Sequence, residues 1–307
     1  MKITYGVGTN TFDVTNICLT KLIKNNVITI PSGDDTRAGV FGDPLWGTVK
    51  KVFIEKDGIV TEYDHTYVIK IKDNLINALN RSQIESKLNT MHSNLRLNYG
   101  SFEEEGPEQR MVLRYFTGKE KVLEIGGNIG RNSLIIGSIL KEHNNTNFVV
   151  MESDGNSSTK LSENRDLNKL TFFVENSALS KRKLIQKGWN TVVSDTVLDG
   201  YYSINTIKFD ELISKYNIQF DTLVLDCEGA FYFILMDMPE ILNNMNMIIM
   251  ENDYWDISKK QYIDEVLVKN NFYRDYVESG GWGPCYSNFF EVWLRADTST
   301  SKSASTA

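Results

Sequence analysis

The feature that most limits what this chain can fold into is a series of short apolar runs after Lys121, each ending on polar residues: "KVLEIGG", "TNFVVMESD", "LTFFVEN", "DTLVLDCEG" and "NMIIMEND". Segments of helical period lie between most of them. Buried strands that alternate with helices form a parallel, doubly wound sheet with its functional edge at the carboxyl ends of the strands. The interval 176–220, with "NTVVSDTVL" and "INTIKFDELI", is longer and reads as a β-rich excursion followed by a helix. "NFFEVWLR" reads as a further apolar strand. The expected fold class is α/β, a Rossmann-like and mostly parallel sheet.

The rest of the chain has a different texture. Residues 1–72 carry β-branched runs, "VITI", "KKVFIE" and "HTYVIKI", between the turn signals "PSGDD", "FGDPLWG" and "EKDG". They read as a small β-rich accessory domain, and "FGDPLWGTVKKVFI" resembles a β module found attached to quite different proteins. Residues 73–120 read as a helical connector and cofactor-site lid: "NLINALNRSQIESKLNTM" has helical spacing, and "EEEGPEQRMVLRYF" enters a helix through Pro107. Residues 121–296 make the main domain. The end, 297–307, "DTSTSKSASTA", has nothing to bury and is expected to be disordered.

A net charge of −7 argues against a nucleic-acid partner, which needs a basic face. The sequence contains no apolar run of membrane-span length and begins with nothing like a secretory core region. Cys18, Cys227 and Cys285 lie far apart, with neither disulfide nor zinc spacing, which fits a reducing, cytoplasmic setting.

"VLEIGGNIGRNSLIIGSIL" is a strand, a glycine loop and a helix. Gly126, Gly127 and Gly130 allow a tight turn and close approach of a ligand, and the helix start over Asn128–Asn132 offers N–H groups. The spacing departs from the dinucleotide G-x-G-x-x-G, and Glu124 is an unusual acid inside the strand. Glu152 ends the second strand about 20 residues later, where an acid accepts ribose hydroxyls. Asn176 and Ser177 end the third, within reach of an adenine edge. The alternative is a loop that merely turns, with Glu152 in water.

Together, "VLEIGGNIG", "VVMESD", "LSENRDLN", "ENSALS", "INTIKFDELI" and "LVLDCEGAFYFIL" resemble the FkbM-type S-adenosylmethionine-dependent methyltransferases, in register from about residue 100 to 294. The resemblance implies a class I methyltransferase fold, S-adenosyl-L-methionine as cofactor, and O-methylation, often of a hydroxyl on a sugar or a glycosylated metabolite. It implies that Glu124 and Gly126 lie by the methionine part, Glu152 by the ribose, and Asn176 and Ser177 by the adenine. Gly127, Asn128, Gly130, Asn132, Ser153 and Asp226 complete the expected cofactor set.

Asp226 and Glu228 close the fourth strand, and Glu251, Asn252 and Asp253 close the fifth. Strands joined by one helix are usually neighbours, so these ends gather at one edge. Their oxygen ligands suit Mg²⁺, Mn²⁺ or Ca²⁺ rather than zinc, and His65, His92 and His143 lie elsewhere. The layout also resembles divalent-metal-dependent O-methyltransferases, which implies Asp226, Glu251 and Asn252 as metal ligands and Glu228 as general base. The plainer alternatives are Asp226 as a helix cap and 251–253 as a polar loop.

Trp189, Tyr254, Trp255 and Trp282, with Asp253, are the expected acceptor contacts, because aromatic faces suit the C–H faces of a sugar. Core packing is the competing reading for each. The leading expectation is a cation-assisted sugar or glycan O-methyltransferase. A non-sugar acceptor, or a glycan-binding module with a vestigial cofactor site, stands as the alternative. Residues 1–72 are left with three expected roles: binding a glycan, forming a homo-oligomer, or tethering the enzyme to a larger glycan-assembly protein.

Overall fold

The structure, a computed structural model, describes residues 1–24, 27–43, 45–72 and 75–296. The tail expected over 297–307 lies outside the described residues. The chain divides into two compact units, Met1–Lys87 and Leu88–Arg295.

The first unit holds two antiparallel sheets. One runs, in spatial order, Asn10–Asp13, Lys2–Val7, Lys51–Lys56, Ile59–Tyr63; the other runs Ile23–Lys24, Val27–Ile30, Tyr67–Lys72, Leu75–Asn80. Alternation along each strand turns Ile3 and Tyr5, Val52 and Ile54, Ile28 and Ile30, and Ile69 and Ile71 into one buried core. Arg37 is fully buried there and is structural: its guanidinium donates to the carbonyls of Pro31, Asp64 and Tyr67 at 2.7–2.8 Å. The helical expectation for residues 73–120 fails over Leu75–Asn80. That run pairs in register with Tyr67–Lys72, and the helix begins only at Arg81. An available strand partner outweighs a helix-like spacing over so short a stretch.

The second unit is the doubly wound sheet. Its strands are β1 (Val122–Ile125), β2 (Phe148–Met151), β3 (Phe173–Glu175), β4 (Thr222–Leu225), β5 (Met247–Glu251), β6 (Phe272–Glu278) and β7 (Phe290–Arg295). The spatial order is β3-β2-β1-β4-β5-β7-β6. β1 to β5 are parallel, whereas β7 runs antiparallel to both β5 and β6. The chain is therefore Rossmann-like with one reversed strand. β6, "FYRDYVE", has mixed polarity and was not anticipated among the apolar runs. The order reverses beside β1 and β4, which is where such sheets open a crevice for ligands.

Helices fill the connections: α1 (Gly106–Tyr115) before the sheet, α2 (Arg131–Glu142), α3 (Gly155–Leu167), α4 (Phe209–Tyr216), α5 (Ala230–Asp237) and α6 (Ile257–Lys269). Pro107 sits at the start of α1, where its missing N–H costs nothing. Asp154 caps α3 by accepting from the Ser157 amide at 2.7 Å, and Asp256 caps α6 from the Ser258 amide at 3.0 Å. The expected excursion is a three-stranded antiparallel flap of Leu184–Lys187, Asn190–Val193 and Tyr202–Ile204. Among the described residues no helix is long and apolar enough to cross a membrane.

Candidate active site

The carboxyl ends of β1, β2, β4 and β5 border a cleft of about 1260 Å³. Gly126, Asn128, Glu152, Ser153, Ser177, Asp226, Glu228, Glu251, Asp253, Tyr254, Trp255, Trp189 and Trp282 all line it. Glu124, Gly127, Gly130, Asn132, Asn176 and Asn252 stand behind that wall rather than in it.

The three glycines have separate physical reasons. Gly126 has φ +93°, and a Cβ there would sit 1.6 Å from the Asp226 carbonyl oxygen, so it lets β1 and β4 close on one another. A Cβ on Gly127 would meet Val150 at 2.2 Å, and one on Gly130 would meet Leu161 at 2.5 Å. Protein atoms, not a ligand, therefore fill the space at each. Two of the N–H groups expected to be free at the helix start are also taken. Asn128 donates to Glu152 at 2.7 Å, and Asn132 donates to Glu105 at 3.1 Å. Glu105 also holds Arg131, which reaches the Ser101 carbonyl at 2.9 Å.

Glu124 is buried in β1, with Oε1 accepting from Asn132 Nδ2 at 3.3 Å and Oε2 lacking a partner among the described residues. Burial pushes its carboxyl up to about 8. Glu152 ends β2 with both oxygens engaged by backbone amides, from Asn128 and from Asp154 at 2.8 Å. Asn176 braces this turn by donating to the carbonyls of Glu152 and Ser153. Ser177 turns back onto Glu175 at 3.1 Å. The flap is tied to the same turn: the Ser153 hydroxyl donates to Gln186 at 2.8 Å, and the Tyr202 hydroxyl to Asp154 at 2.6 Å.

At the other end of the cleft, Asp226, Glu251 and Asp253 each present a carboxylate oxygen, and these lie within 4.8 Å of one another. Burial, then the charge of Glu251, drives the Asp226 carboxyl well above the usual range. Burial and its contact with Glu108 raise Glu251 likewise, and burial and Glu228 raise Asp253. Convergent carboxylates in a desolvated place need protons or a cation, and an all-oxygen set of this kind fits a hard divalent ion.

Asn252 does not line the cleft, whereas Asp253 does. Asn252 is fully buried, its amide N–H bonds the Phe289 carbonyl at 2.8 Å, and its Nδ2 donates to the Asn288 carbonyl at 2.7 Å, while Oδ1 has no partner among the described residues. Asp226 is not a helix cap either: the cap of α5 is Gly229. Glu228 is solvent-exposed at the cleft and holds φ +51°, a conformation that costs a non-glycine residue about 1–3 kcal/mol and tends to cluster at functional sites.

Of the aromatic residues, Tyr254 is buried at 4% exposure and packs beside Gly229. Trp255 and Trp189 are 79% and 64% exposed. Trp255 stacks on Trp282 with ring centroids 4.4 Å apart. The acid that sequence reading missed is Glu108, on α1, which is buried and lines the cleft.

No family model matches the chain, and no curated protein matches its sequence. Solved structures do resemble it. An O-methyltransferase from Bacillus cereus in complex with S-adenosylhomocysteine is 14% identical, with a TM-score of 0.39 over 71% of this chain and 92% of that one. The O-methyltransferase TomG of Streptomyces achromogenes, bound to S-adenosylmethionine, is 12% identical, with a TM-score of 0.39 over 70% and 90%. A ribosomal protein L11 methylase from Lactobacillus delbrueckii subsp. bulgaricus is 12% identical, with a TM-score of 0.41 over 66% and 82%. At such identities these are likenesses of fold alone.

Proposed function

We propose that this chain is an S-adenosylmethionine-dependent O-methyltransferase acting on a hydroxyl of a sugar or glycan, assisted by Mg²⁺ or Mn²⁺. One observation carries the reading: Glu152, ending β2, and the Asp226–Glu251–Asp253 group line the same cleft. The FkbM-type motifs quoted above support the sugar hydroxyl as acceptor.

When bound, the sulfonium supplies an electrophilic methyl group and the divalent cation favours an ionised hydroxyl. The chain's own residues do the rest. Glu152 receives the ribose hydroxyls on a carboxylate already fixed by two amides. The exposed faces of Trp189 and the Trp255–Trp282 stack bind the sugar. Glu228 takes the acceptor's proton as the C–O bond forms. Alignment of the reacting atoms in the cleft supplies on the order of 7 kcal/mol.

Isothermal calorimetry with S-adenosylhomocysteine is the first test, and absence of binding removes the whole reading. With sugar acceptors, EDTA is expected to abolish product and Mn²⁺ to restore it. Glu228→Gln should lower kcat about 10²- to 10⁴-fold. Unchanged turnover and metal response in Asp226→Ala would remove the site assignment.

A further inference from the structure

Asn164 is fully buried on α3. With Ser158 and Leu161 it recurs at a three-residue spacing and forms the buried face of that helix. An amide in such a place costs more than a leucine of similar size unless its donor and its acceptor both find partners. Both do, in two different stretches of backbone. Nδ2 donates to the Ile129 carbonyl at 2.9 Å, and Oδ1 accepts from the Asn98 amide at 2.8 Å.

The first of these bonds falls inside the glycine loop. The peptide between Ile129 and Gly130 is held at both edges, its carbonyl by Asn164 and its N–H by the Gly127 carbonyl at 2.7 Å. That peptide closes the turn in which Asn128 holds φ +45°, a left-handed conformation that a non-glycine residue keeps only when its surroundings enforce it. From that turn the Asn128 amide donates to Glu152 at 2.7 Å.

The second bond reaches segment 96–101, which presses on the same loop: a Cβ on Gly100 would stand 2.4 Å from Ile129 Cδ1. Asn168, four residues after Asn164, holds this segment too. It accepts from the Arg96 amide at 2.8 Å and donates to the Arg96 carbonyl at 2.7 Å and to the Asn164 carbonyl at 2.7 Å. Asn168 therefore grips the segment, whereas Asn164 grips the segment and the loop together.

We propose that Asn164 is a positioning residue for cofactor binding, fixing the glycine loop and, through the Asn128 amide, the Glu152 carboxylate. It does not line the cleft, so it acts without touching the ligand. The inference rests on the S-adenosylmethionine reading above.

The test uses the full chain, with S-adenosylhomocysteine affinity read by calorimetry and melting temperature read beside it. Asn164→Asp keeps the acceptor for the Asn98 amide and removes the donor to the loop. Asn168→Asp keeps the acceptor for the Arg96 amide and removes the donor to the segment. Loss of one buried hydrogen bond to the loop should raise the Kd of Asn164→Asp about tenfold, while Asn168→Asp stays within about twofold of the parent. An Asn164 of merely structural importance would lower the melting temperature and leave the Kd of the folded chain unchanged, and that result overturns the proposal. Equal loss of affinity in both variants overturns it as well, because the segment rather than the loop would then carry the effect. Should Asn164→Asp not fold, Asn164→Ala is compared with Asn168→Ala in the same way. No S-adenosylhomocysteine binding by the parent chain removes the methyltransferase reading itself, and this inference with it.

Discussion

At the residue scale, neighbouring positions in the cleft wall have opposite fates for simple geometric reasons. Side chains two apart in an extended segment share a face, so Glu251 and Asp253 can converge while Asn252 turns away into the protein. That period was available in the sequence and distinguishes Asp253 from Asn252 without a structure. The role of Gly126 was legible only in part. A glycine was readable, but its reason, contact with the Asp226 carbonyl, depends on which strands are neighbours. Gly126→Ala should destabilise the Leu88–Arg295 unit by more than about 2 kcal/mol in urea unfolding, from a left-handed φ and a backbone clash. Glu124 gives a pH signature. Its native pKa of about 8 lies above the ordinary 4.5, so between those values the folded chain holds a proton that the unfolded chain has released. Stability from this group is present on the acid side and falls as pH rises through that window, by up to about 1.4 kcal/mol per unit. Glu124→Gln should flatten this decline and be the more stable chain at pH 9.

At the scale of elements, the strands of the sheet were readable because each is a short apolar run ending on polar residues. β6 was not, since Arg274, Asp275 and Glu278 interrupt its apolar pattern. Nor was the part played by α1, whose Glu108 reaches the cleft from outside the strand-end pattern. The flap was expected as an excursion, but its fastening to the second-strand turn appears only in three dimensions. The Tyr202 hydroxyl on Asp154 is one such fastening. Although burial alone would raise the Asp154 carboxyl, the hydrogen bonds from Tyr202 and Ser157 bring it below its ordinary value. Its contribution to stability is therefore present above the ordinary carboxylate pKa and is lost as pH falls through the lower native one. Tyr202→Phe should loosen the flap, raising the S-adenosylhomocysteine Kd several-fold with little change in melting temperature.

At the scale of the whole molecule, the chain carries two separate cores. Calorimetric unfolding should resolve two transitions. S-adenosylhomocysteine at about 100 times its Kd should stabilise the Leu88–Arg295 unit by about 2.7 kcal/mol and leave the other transition in place. Glu105 has a consequence for ligand choice. The positive end of α2, which in many nucleotide-binding folds greets phosphate, is already neutralised here by a carboxylate. A polyphosphate nucleotide would find the Asn132 amide already taken and Arg131 already paired with Glu105. On the proposed reading, millimolar ATP or NAD⁺ should therefore leave S-adenosylhomocysteine binding untouched.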